Sequence, residues 1–129
     1  MEAAARGASE AGGGSIGVVL SGAGEPNRWI KRREVASDLS ERLRLLRDLP
    51  GAWIFLPHGL GTLLEIVWIA ESITKGWIEP KPMAFLGSFW RTAVDLACAE
   101  AAGSGAAALR NSIRWVVTAT QAVEATSKT

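Results

Sequence analysis

The sequence holds one cysteine and one histidine in 129 residues. A lone thiol, Cys98, forms no internal bridge, and its neighbours Leu96, Ala97 and Ala99 belong to a helix interior rather than a metal site. No metal and no cofactor is expected, and the implied compartment is reducing. The first fourteen residues, Glu- and Ala-containing, lack the apolar core of a secretory signal, so the expected home is the cytoplasm. An unbroken apolar span is missing too. Leu49 to Ala70 runs for 22 residues with only His58 and Glu65 strongly polar, but Pro57, Gly59 and Gly61 interrupt it. A lipid-facing helix would leave their backbone groups unpaired, which excludes a membrane span and favours a strand, a turn and a helix. No internal repeat is visible.

What remains is the composition of one globular domain spanning residues 1–129. Apolar residues make up 48% and charged ones 21%, too apolar for disorder and too poor in cysteine for a disulfide scaffold. The net charge is only +1, yet it is unevenly spread. Residues 28–47 carry seven basic side chains against Glu34, Asp38 and Glu41, which gives +4 there and leaves −3 elsewhere. Such asymmetry suits an anionic ligand. Arg28, Lys31, Arg32 and Arg33 have no interleaved aromatic series for stacking bases, so nucleic acid is not the expected partner; Arg44 and Arg47 read as surface. The six tryptophans, 29, 53, 68, 77, 90 and 115, lie mostly in apolar periodic segments and read as core packing, with Trp90 a candidate for the mouth of a pocket.

Alternating signals run along the chain. Glu2 to Ala11 favours helix and is stopped by Gly12-Gly13-Gly14. Four apolar runs, 15–20, 52–56, 83–86 and 114–118, read as buried strands. Between them, Leu39, Leu43 and Leu46 mark an amphipathic helix from about Glu34 to Asp48, and a second helix is expected from Thr62 to about Lys75. A third begins at Ser88, a suitable N-cap, and ends by Gly103; residues 106–112 and 120–127 complete the helices. Strands alternating with helices predict an α/β fold with a Rossmann-like parallel sheet and helices on both faces.

The segment Pro57-His58-Gly59-Leu60-Gly61-Thr62-Leu63-Leu64-Glu65 carries the chemistry. A buried strand ending in a glycine-rich turn that opens a helix is an anion site, because free N–H groups of the first helical turn converge there. Gly59 and Gly61 are expected to adopt φ > 0 and admit a phosphate, with Leu60 contributing backbone and the Thr62 hydroxyl a further donor. No Lys-Ser/Thr follows the glycines and Leu64 stands where a dinucleotide fold needs its third glycine, so neither a P-loop ATPase nor a standard NAD enzyme is indicated. Thr62-x-x-Glu65 also fits a capping box, and by spacing alone the capping and catalytic readings of Glu65 both stand.

This turn resembles the P-G-G-x-G-T-x-x-E motif of the Lonely Guy (LOG) phosphoribohydrolases and their Rossmann-like relatives. Pro57, Gly59, Gly61, Thr62 and Glu65 keep its spacing, and Arg42, Lys81-Pro82 and Leu86 to Arg91 extend the likeness over nearly the whole chain. The resemblance implies that a nucleoside 5′-monophosphate or related phosphorylated molecule binds here, that Gly59, Gly61 and Thr62 hold its phosphate, and that Glu65 stabilises an oxocarbenium-like ribose or orients water with help from Arg42. Glu2 is the nearest counterpart of a second acidic residue. It also implies a homodimer. The activity would be hydrolysis of the N-glycosidic bond; the alternative is a non-catalytic nucleotide or molybdenum-cofactor carrier on the same fold. Some members carry a lysine decarboxylase label, but no pyridoxal-phosphate site is suggested.

Two departures stand out. His58 replaces the motif's first glycine, where it either strains a φ > 0 backbone by roughly 1 kcal/mol or adds a donor or general acid. The likeness also starts at the helix after the family's first G-G-G-x-G turn. The sheet is therefore expected to lack the first strand–helix units, as in a truncated piece, a misassigned start or a decayed gene, leaving a sheet edge for a partner chain to cover.

Overall fold

The computed structural model describes residues 1–103 and 105–127. The order is α1 (Glu2–Glu10), β1 (Ile16–Leu20), β2 (Arg32–Ala36), α2 (Leu39–Asp48), β3 (Trp53–Phe55), α3 (Leu60–Thr74), β4 (Met83–Leu86), α4 (Arg91–Glu100), α5 (Gly105–Ser112), β5 (Ile113–Val116) and α6 (Ala119–Ser127). This is the Rossmann-like α/β class expected, with every strand pair parallel. The strands form two sheets, β1-β2 and β3-β4-β5, and the chain divides into two compact units, Met1–Leu49 and Pro50–Thr129.

In the second unit, strand alternation sorts the core. Trp53 and Phe55, Met83 and Phe85, Ile113 and Trp115 point to one face. The register sets Phe55, Phe85 and Trp115 side by side, with ring centroids 4.8 and 4.9 Å apart. Ile66, Ile69, Ala70 and Ile73 of α3, Val94 of α4 and Leu109 of α5 close over that face. Ala84 points the other way and is fully buried; α6 contacts all three strands and contributes nothing to the first cluster, so it covers the opposite face. α3 ends in a Schellman turn, Trp77 N–H donating to Ser72 O and Gly76 N–H to Ile73 O, and the positive φ of 68° falls on Gly76.

The first unit has little apolar interior: Ala5 and Ala36 are its buried hydrophobic residues among those described. Polar bonds hold it instead. The Ser15 hydroxyl donates to Trp29 O at 2.8 Å, and Ser15 O accepts from the Lys31 and Arg32 N–H groups, pinning the connection that returns β2 beside β1.

Several boundaries differ from expectation. Residues 32–36 form a strand, the fifth, where a helix was expected to begin. The helix starts later because Asp38, extended at φ −148°, caps it: its side chain accepts from Glu41 N–H at 2.8 Å, while Glu41 accepts from the Ser37 N–H and hydroxyl, both at 2.8 Å. The sequence signal was Ser37-Asp38 followed by Glu41, a capping box that the leucine spacing obscured. At α4 the N-cap is Trp90 rather than Ser88, whose carbonyl accepts from Arg91 N–H without a side-chain cap. Of the tryptophans, 53 and 90 are buried, whereas Trp77 is exposed.

Candidate functional site

A strand, a turn and a helix follow one another here in the order expected, but the backbone route differs. β3 ends at Phe55 and α3 begins at Leu60, two residues before the expected Thr62. Gly59 is the N-cap, with φ −86° and ψ −161°, and its carbonyl accepts from Thr62 N–H at 3.1 Å and Leu63 N–H at 3.4 Å. Neither Gly59 nor Gly61 takes a positive φ, which corrects the expectation for both. A Cβ built on either meets nothing within 4 Å. Here the glycines leave open space over the first turn instead of permitting a special backbone. The same fact removes the strain argument at His58, since no non-glycine residue among those described has positive φ.

Residues 57–61 are all exposed, and Leu60 is 83% exposed. The N–H groups of a first helical turn have no intrahelical acceptor and carry about half a positive charge between them. No side chain caps α3. With the Thr62 and Leu63 N–H groups given to Gly59 O, the exposed turn offers the Leu60 and Gly61 N–H groups to an anion.

Thr62 and Glu65 are half-buried on one face of α3, three residues apart. Thr62 is the third helical residue and Gly59 is the cap, so the capping box read from Thr62-x-x-Glu65 does not exist. Glu65 therefore does not close a capping box at this helix start. Ile66 and Ile69, which belong to the core, hold this stretch of helix in place.

Arg42 and Glu2 lie in the first unit and Glu65 and the turn in the second. Arg42 is half-buried on α2, and among its contacts its Nε donates to Val18 O at 3.4 Å. The neighbouring cations have partners within the unit: Lys31 Nζ donates to Gly13 O at 2.6 Å, Arg33 meets Glu25 at 3.3 Å, and Arg32 meets Glu34 at 2.5 Å. Arg47, expected at the surface, is only 15% exposed in its side chain and bonds Asp48 at 2.7 Å, which raises its pKa further.

A concavity of about 490 Å³ lies elsewhere, between α4, α5 and β5, lined in part by Cys98, Arg110 and Trp115. It shares no residue with the turn. Burial raises the Cys98 thiol pKa. Among the described residues no group of three or more His, Cys, Asp and Glu could hold a metal ion, and no helix is long and apolar enough to cross a membrane.

Residues 1–127 match the profile of the family described as "Possible lysine decarboxylase". No curated protein matches the chain.

Proposed function

We propose that this chain, which belongs to the possible lysine decarboxylase family that includes the LOG enzymes, binds a nucleoside 5′-monophosphate at the start of α3 and hydrolyses its N-glycosidic bond. The observation that carries this reading is the uncapped, open N-terminus of α3 with Glu65 one turn into the helix. The phosphate accepts from the N–H groups of Leu60 and Gly61 and from the Thr62 hydroxyl, with His58 beside them on the exposed turn. As the bond from ribose C1′ to the base nitrogen lengthens, positive charge develops on the ribose and the Glu65 carboxylate stabilises it. Water then adds at C1′ and loses a proton, while the base departs with the bonding electrons and gains one. The products are free base and ribose 5-phosphate.

The test incubates the protein with purine and pyrimidine 5′-monophosphates and measures free base. Release that falls at least 100-fold in Glu65→Gln supports the hydrolase. Binding without release, unchanged by that substitution, identifies a non-catalytic nucleotide or molybdenum-cofactor carrier. Binding of neither AMP nor ribose 5-phosphate overturns both.

We also propose that the protein is a homodimer. α3 is apolar nearly all round: opposite its core face, Leu60, Leu64 and Val67 are 83, 42 and 48% exposed at one-turn spacing. Light scattering should give twice the chain mass, and Leu64→Glu with Val67→Lys should give the monomer; a wild-type monomer refutes the proposal.

A further inference from the structure

Inside the turn the backbone bonds are those from the Thr62 and Leu63 N–H groups to Gly59 O, at the helix start. A Cβ on either of its glycines meets nothing within 4 Å, and no side chain caps the helix it opens. Its position must come from its flanks. Downstream, α3 is fixed by Ile66, Ile69 and Ile73 in the core. Upstream, the strand is only three residues long and its ladder with β4 ends at Phe55 opposite Phe85. Leu56, the next residue, lies beyond the ladder, so β4 does not take its carbonyl.

That carbonyl accepts a hydrogen bond from the indole Nε1 of Trp90 at 3.0 Å, across 34 residues of sequence. Trp90 is itself immobilised. It is 6% exposed, belongs to the core with Val94, and lies edge-on to Phe89 at 4.8 Å between ring centroids and 86° between planes. The next residue, Arg91, lies over the Trp115 ring of β5 at 3.9 Å. The start of α4 is thereby clamped to β5 on one side and grips the end of β3 on the other.

We infer that Trp90 is a positioning residue: its indole N–H fixes the exit of β3 and, through it, the direction in which the N–H groups of the turn point. The inference rests on the functional reading for its consequence, but not for its geometry. It assigns a role in phosphate affinity to a residue outside the turn motif and buried away from solvent.

Trp90→Phe removes the N–H and keeps an aromatic ring, whereas Val94→Ala, one turn along the same helix, perturbs the same core without touching Leu56. In ligand-free protein, Trp90→Phe should shift the backbone amide resonances of residues 58–61 by NMR, and Val94→Ala should leave them in place. With AMP as substrate, Trp90→Phe should raise KM about fivefold, as expected for one lost hydrogen bond, with kcat within about twofold. Val94→Ala should leave KM unchanged. Should Trp90→Phe fail to fold, the wild-type indole protons decide: that of Trp90 should exchange with solvent far more slowly than that of exposed Trp77. Unmoved turn amides, equal effects in both variants, or a fast-exchanging Trp90 indole overturn the inference. If wild-type protein binds neither AMP nor ribose 5-phosphate, the functional reading falls while the amide and indole measurements still judge Trp90.

Discussion

The two units of the chain are stabilised by different physics. Pro50–Thr129 is built around a stacked aromatic row, Phe55, Phe85 and Trp115, closed by three helices. Met1–Leu49 buries two alanines and relies on polar junctions: the Ser15 bonds to the returning loop, the Asp38 cap and the Glu41 clamp on Ser37. Apolar burial contributes roughly 25 cal/mol per Å², while a cap or an exposed ion pair contributes about 1 kcal/mol or less. The unit bearing the glycine turn is thus the one with an apolar core, and the unit bearing Arg42 is held by interactions that pH and salt can weaken. A site that needs backbone donors fixed in space belongs on the former.

The largest test of this contrast is Phe85→Ala, which empties the centre of the aromatic row and should cost about 3–5 kcal/mol in urea denaturation. A loss under about 1 kcal/mol would mean the second unit is not organised around that row. Next come two glycines that look alike in sequence. A Cβ at Gly105 collides with the backbone of Thr74, so Gly105→Ala should destabilise by about 1–3 kcal/mol. At Gly61 a Cβ meets open space, and Gly61→Ala should stabilise α3 slightly, by up to about 1 kcal/mol, while weakening AMP binding at least tenfold because the methyl occupies the phosphate's approach. Equal loss of stability in both would break the distinction between a packing glycine and a binding glycine.

In the first unit, Asp38→Ala should cost about 1 kcal/mol and appear as faster amide exchange in α2, with no change in α3. The smallest effect is a pH dependence. Hydrogen bonds from the Ser37 N–H and hydroxyl, with Arg44 nearby, hold the Glu41 carboxyl below its ordinary value of 4.5. A depressed folded pKa means the stabilisation is present above about pH 4.5 and is lost as pH falls through the lower folded value. Amide exchange in α2 should accelerate over that window, and Glu41→Gln should abolish the dependence.

Much of the molecule was legible in the chain itself. Buried strands announced themselves as apolar runs, and the motif Pro57 to Glu65 placed a turn between a strand and a helix because proline and glycine at that spacing permit little else. β2 escaped because Arg32-Arg33-Glu34 is a polar edge of a thin unit, and no local pattern distinguishes such a strand from the start of a helix. Motif spacing also suggested a left-handed backbone at Gly59 and Gly61, and a Thr62 cap, that the fold does not use.

Sequence alone determined that a glycine turn opens an apolar helix at residues 57–65 and that an acidic side chain sits one turn inside it, because these depend on residue order and helical period. Tertiary structure alone decided which glycine caps the helix, that both turn glycines face open space, and that Trp90 reaches back to Leu56. The reason is distance along the chain: an N-cap, open space over a turn and a bond across 34 residues depend on how separate elements pack, and no local pattern encodes that.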